Sequence, residues 1–234
     1  MSRSKWPSRV LGIAFLLQFV TSIVSGVIVK PTLVVPGDIV ATMTRIAARP
    51  GLMTTYMLLD MFTALGVVLL GVMLFLNLRK QNEGVALVGM AFYILEGGVL
   101  AASKLQSFSL LRYSQVYVSG DQAPILTTMA EVALESMEFV GFDLHMIAFC
   151  IGAILFYTLL VTSRAVPRAL SLWGLISVSP LLVATLLGIY GVAVPFALAI
   201  PYVPFEFVIG VWILVKGVGV PESPRAAALR GRLG

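Results

Sequence analysis

From Val10 to Val29 the chain runs for 20 residues without one charged side chain, and five further apolar runs of similar reach follow. At about 1.5 Å per residue, about 20 helical residues cross the roughly 30 Å hydrocarbon core of a bilayer. A helix is also the form in which such a run satisfies its own backbone polar groups where no water is present. The pattern predicts an all-α integral membrane protein, a bundle of six transmembrane helices over residues 9–30, 52–78, 83–106, 139–163, 168–191 and 193–217. Turn-forming PGD at Pro36–Asp38 and SGDQAP at Ser119–Pro124 introduce short amphipathic helices near 37–48 and 121–137, in the outer loops. Residues 1–218 then form one transmembrane domain, and 219–234 a flexible cytoplasmic tail.

Composition agrees with lipid as the solvent. The chain is 59% hydrophobic and 12% charged, about half the charge share of an ordinary soluble domain. The net charge of +5 does not indicate nucleic acid, because the basic residues form no patch and sit at the ends of apolar segments. They alternate between loops. Arg3, Lys5 and Arg9 precede the first run, Arg79 and Lys80 follow the second, and Arg164 and Arg168 part the fourth from the fifth. Lys216, Arg225, Arg230 and Arg232 follow the sixth. The opposite loops spread Lys30, Arg45, Arg49, Lys104 and Arg112 over far more chain, so the positive-inside rule predicts cytoplasmic termini. The first run exceeds a signal-peptide core and lacks a small-x-small cleavage site, so it reads as a retained anchor. Cys150 is the single cysteine, which leaves neither a disulfide framework nor a cysteine metal cluster.

Several stretches are similar to a known family: Arg9-x-x-Gly12 with the following FLLQFVTSI, Asp60, Glu96, the His145 segment, and Glu206-x5-Trp212-Ile-Leu-Val-Lys216-Gly217-Val218. Together they resemble a bacterial multi-pass membrane family known as domain of unknown function 4386, over nearly the whole chain. The resemblance implies a six-helix protein of the cell (inner) membrane and brings no activity with it. At FCIGAILFYTLL the sequence departs from the family's glycine-richer, double-phenylalanine run.

Carboxylates inside the apolar runs carry the functional signal. In hydrocarbon each costs several kcal/mol unless paired, protonated or facing a wet cavity. Helical rise puts Glu206 about 15 Å above the inner face, near the midplane, and Glu96 about 18–20 Å up from the start of its run. It puts Asp60 about 12–14 Å below the outer end of its run, with Asp143 and His145 near the outer interface. These depths describe a funnel opening outward, with Glu206 at its floor. If the helix stays continuous through Gly141, then Glu131, Glu135, Glu138, Phe142, His145 and Phe149 share an arc of roughly 80°. Asp143 points about 140° away from Glu138. Aromatic residues accompany the acids: Tyr56 one turn before Asp60, Phe92 and Tyr93 one turn before Glu96, and Phe205 and Phe207 on either side of Glu206. Pro201 and Pro204 bend the chain just outside Glu206. The plainer roles are interhelical hydrogen bonding for the acids and for His145, a solvated outer helix for Glu131 and Glu135, and snorkelling to the outer interface for Lys104.

No GxSxG, HExxH or phosphate-binding glycine loop is present, and no second histidine supports a histidine-rich zinc site. No cofactor or metal is therefore expected, and His145 with the carboxylates is left as the one alternative metal site, its spacing matching no known ligand pattern. The expected function is a membrane-embedded enzyme doing acid–base chemistry on a lipid-soluble substrate, such as cyclisation or isomerisation of an isoprenoid. Glu206 or Asp60 would donate the proton, Glu96 would tune it, and Glu138 or His145 would accept it at the end; Asp143 completes the catalytic set. Tyr56, Phe92, Tyr93, Phe142, Phe149, Phe205 and Phe207 would hold the substrate and stabilise a developing cation. Two alternatives use the same residues: a small proton-coupled carrier or receptor for an organic cation or lipid, and a non-catalytic membrane partner protein. The expected partners are the bilayer and a hydrophobic small molecule; the residues specify neither the substrate nor an oligomeric state.

Overall fold

A computed structural model describes residues 6–120, 123–192, 194–198 and 200–219. Among the described residues every regular element is a helix and there is no strand. Helix α1 (Trp6–Ile23) runs through a π-helical stretch, π1 (Val24–Val29), into α2 (Lys30–Leu33). Then come α3 (Ile39–Ala48), α4 (Pro50–Leu78), α5 (Glu83–Ala102), α6 (Lys104–Val118) and α7 (Pro124–Glu138). A second π-helical stretch, π2 (Phe139–Leu144), leads into α8 (His145–Ser163), followed by α9 (Arg168–Ile189) and α10 (Tyr202–Lys216).

Local chemistry sets the helix ends. The Asp38 carboxylate accepts from the Ala41 N–H at 2.8 Å and caps α3; the Asn82 side chain accepts from Val85 N–H at 3.1 Å and caps α5. Pro50 and Pro124 open α4 and α7, where a missing N–H costs no intrahelical bond. Helix α8 stops at Arg164, which adopts a left-handed φ of 54°.

Five helical segments are long and apolar enough to cross a membrane: Ser8–Leu33, Pro50–Leu78, Glu83–Val118, Pro124–Ser163 and Arg168–Ile189. Two of them outrun the expected spans. The third was expected over 83–106, but α5 and α6 form one 36-residue segment, parted by a turn at Ser103. The fourth begins at Pro124, so the expected outer helix near 121–137 and the span after it form one 40-residue segment. The helix expected over 193–217 begins only at Tyr202 and spans 15 residues, about 22 Å. Pro195 and Pro201 account for the shortfall, because each lacks an N–H and disfavours helical geometry in the residue before it. The tail expected over 219–234 lies beyond Gly219 outside the described residues.

The chain packs into two layers. In the first, α1 lies against α4 and α10, α4 against α5, α5 against α8, and α8 against α9, around Leu11, Phe15, Leu74, Phe156, Phe205 and Ile213. In the second, the outward extensions α2, α3, α6 and α7 close over Leu33, Met43, Ile46, Leu110, Ala130 and Met137. Small residues let the helices of the first layer approach. A Cβ on Gly97 of α5 would lie 2.8 Å from the Ala64 carbonyl oxygen of α4, and one on Gly12 of α1 2.6 Å from the Leu214 backbone nitrogen of α10. Large apolar side chains such as Leu65, Leu105 and Ile176 point outward, as a lipid-facing surface requires.

Candidate functional site

Where the two layers meet, a cavity of about 530 Å³ opens among α1, α4, α5, α8, α9 and α10, within the size range of small-molecule pockets. Its walls include Asp60, Glu96, Glu138, His145 and Glu206, together with Tyr56, Phe142, Phe149 and Tyr202. Both π-helical stretches border it, through Ser25, Gly26 and Val27 on one side and Gly141 and Phe142 on the other. Val27 and Phe142 are also half-exposed or more, so this edge faces the surroundings. At Gly141 a Cβ would lie 2.9 Å from Ser103 Oγ, so glycine lets π2 settle against the turn between α5 and α6.

The polar groups divide into two clusters. In the first, Asp60 is ion-paired with Lys104 and accepts a hydrogen bond from Ser25. The Lys104 ammonium also lies 4.6 Å from the centre of the Tyr56 ring. Lys104 is buried, and the snorkelling expected for it does not occur, since leaving would strand Asp60 without a counter-charge. Across the open edge, Lys30 and Glu138 form a second ion pair at 2.6 Å.

The second cluster contains two acids and no cation among the described residues. Glu206 accepts from Gln18 Nε2 at 2.5 Å and from the Tyr202 hydroxyl at 3.2 Å. The Tyr157 hydroxyl lies 2.7 Å from that of Tyr202, so with Tyr202 donating to Glu206, Tyr157 donates to Tyr202. Glu96 is 4% exposed, and its Oε2 is buried without a hydrogen-bond partner. A buried carboxyl that no cation faces must be neutralised by its own proton or by a positive ligand.

Of the residues singled out by sequence, Asp60, Glu96, Glu138, His145, Glu206, Tyr56, Phe142 and Phe149 line the cavity. The others do not. Asp143 is half-buried on π2 and Phe92 half-buried on α5. Tyr93 is fully buried and packs edge-on to Phe156 at 5.4 Å. Phe205 is enclosed by Tyr157 and Trp173, and Phe207 faces outward beside Phe19. Glu131 and Glu135 are exposed on α7. The proposed continuous stripe is interrupted, because π2 changes the angular step between Glu138 and His145. Sequence reasoning missed Gln18, Ser25 and Tyr202. Gln18 and Ser25 are polar residues in the uncharged first run, and Tyr202 lies four positions before Glu206, each a readable signal. Among the described residues no three His, Cys, Asp or Glu side chains gather as a metal site.

No curated protein and no solved structure matches this chain. One family model does, over residues 10–217, which takes in the cavity and every helix around it. The chain thus belongs to the family described as Domain of unknown function (DUF4386).

Proposed function

We propose that this protein is a membrane-embedded enzyme that carries out acid–base chemistry on a lipid-soluble substrate held in the cavity. One observation carries the reading: of the four acids on the cavity wall, Asp60 and Glu138 have lysine partners, whereas Glu96 and Glu206 have none among the described residues. Asp60 is thereby tied up as an ionised partner and drops out as a proton donor. Glu206 is the donor, Glu96 the neighbour that sets its charge state, and His145 the terminal base. Glu138 serves in the ion pair instead.

The reaction class is isomerisation or cyclisation of an alkene-bearing lipid such as an isoprenoid. The Glu206 proton adds to one alkene carbon, the π bond breaks, and its partner carbon becomes cationic. Either a second π bond closes on that carbon and passes the charge to its own far carbon, or the cation stays where it formed; in both cases a neighbouring C–H then gives its proton to His145 and re-forms an alkene. Atoms and charge balance without an oxidant or reductant. Phe149 and Tyr202 line the cavity and would supply ring faces to the developing charge. We place the protein in the inner membrane with six crossings, the last through α10, and with both termini cytoplasmic; the loop distribution of basic residues supports this.

Purified protein in nanodiscs, incubated with isoprenoid alkenes in heavy water, tests the chemistry. Mass spectrometry should find deuterium in the recovered lipid with the native protein and none with Glu206→Gln. Equal incorporation by both would eliminate Glu206 as the acid.

A further inference from the structure

Four carboxyl groups face one cavity, and the lysines neutralise only two of them. The remaining pair, Glu96 and Glu206, shares the cavity wall with no lysine on either acid among the described residues. Gln18 and Tyr202 donate to Glu206, but Glu96 Oε2 has no donor at all. Glu96 is more than nine-tenths buried and lines the cavity, and a buried acceptor without a donor is costly. Rings share the wall: Phe149 and Tyr202 both line the cavity and meet edge-on at 5.2 Å, and Tyr93 packs against Phe149 at 6.4 Å. The same wall carries apolar side chains, Met146, Leu181 and Phe142 among them, and Phe142 is about half-exposed.

We infer that the inner half of the cavity is a cation site for a lipophilic ammonium, with the charged nitrogen seated between Glu96 and Glu206 and the alkyl chain lying toward Phe142. Two carboxylates and aromatic rings around a desolvated positive charge are the arrangement that binds organic cations. The lysine-paired acids Asp60 and Glu138 contribute no net charge to this binding. The inference rests on the cavity being the substrate site of the proposed enzyme, for which such an amine is a stable counterpart of the cationic intermediate.

The test is thermal unfolding in nanodiscs with three probes of equal chain length: decylamine, decanol and decanoate. Decylamine should raise the melting temperature of the native protein in a saturable way, and the other two should not. Its affinity should fall tenfold or more in Glu96→Gln and in Glu206→Gln, yet remain in Glu131→Gln, which removes an exposed acid from α7. Equal stabilisation by decanol, or an amine effect that survives both cavity substitutions, would overturn the site. Should either variant fail to fold, a photoreactive alkylammonium on the native protein decides: adducts at Met146 or Leu181 support the inference, and adducts confined to lipid-facing residues such as Leu65 refute it. If the amine binds there and no deuterium enters the alkenes, the cation site stands and the enzyme reading falls.

Discussion

Asp60 is buried and Glu206 half-buried on the cavity wall, and their polar partners differ. Asp60 shares a buried ion pair with Lys104, in which neither side chain is more than about an eighth exposed. Removing one member strands the other, at a cost of about 3–5 kcal/mol, whereas replacing both is far milder. Lys104→Met should therefore lower the melting temperature sharply, and Asp60→Asn added to it should recover most of the loss; denaturation of the three proteins in detergent checks this. The Lys30–Glu138 pair is more open, so Lys30→Met should cost under about 1 kcal/mol in the same assay. For Glu206, glutamine keeps a carbonyl oxygen that still accepts from Gln18 and Tyr202. Glu206→Gln should melt close to the native protein while losing activity. A drop of many degrees would make Glu206 an ionised structural residue and end its role as an acid.

Helix packing in this bundle depends on where glycine meets another backbone. Gly97 and Gly98 are neighbours on α5, but a Cβ on Gly97 would strike the Ala64 carbonyl, while one on Gly98 would meet nothing within 4 Å. Gly97→Ala should destabilise by about 1–3 kcal/mol and Gly98→Ala should be neutral or mildly stabilising, as thermal melts of the two variants would show. The apolar runs made the crossing helices readable from sequence, because length and lack of charge are enough to place them. Their extensions were not readable in the same way. The α6 stretch KLQSFSLLRYSQVYV is too polar to announce a span and is helical because α3 and α7 cover it. The π-helical turns gave no signal either, since Gly26 and Gly141 permit them without requiring them. Prolines, by contrast, were legible as breaks near Glu206, and α10 begins only after Pro201.

Across the whole molecule, the acids of four separate segments, Asp60, Glu96, Glu138 and Glu206, reach one cavity. The sequence could not reveal their partners, because pairing depends on the neighbours that Lys30, Lys104 and Gln18 acquire on folding. That difference separates the acids paired with lysine from those without one among the described residues, and it carries the functional reading. Topology has its own check: with Cys150 replaced, single cysteines at Ser119 and Ser223 should react with a membrane-impermeant reagent in intact cells at 119 only. Labelling at 223 would reverse the proposed orientation. The central claim is that Glu96 and Glu206 together face one ligand cavity, and the most direct measurement is an experimental map of the protein in lipid nanodiscs. The account predicts non-protein density running from between the two carboxyl groups toward Phe142. Side chains packed into that space, or the two carboxyl groups turned away from each other toward lipid, would contradict it.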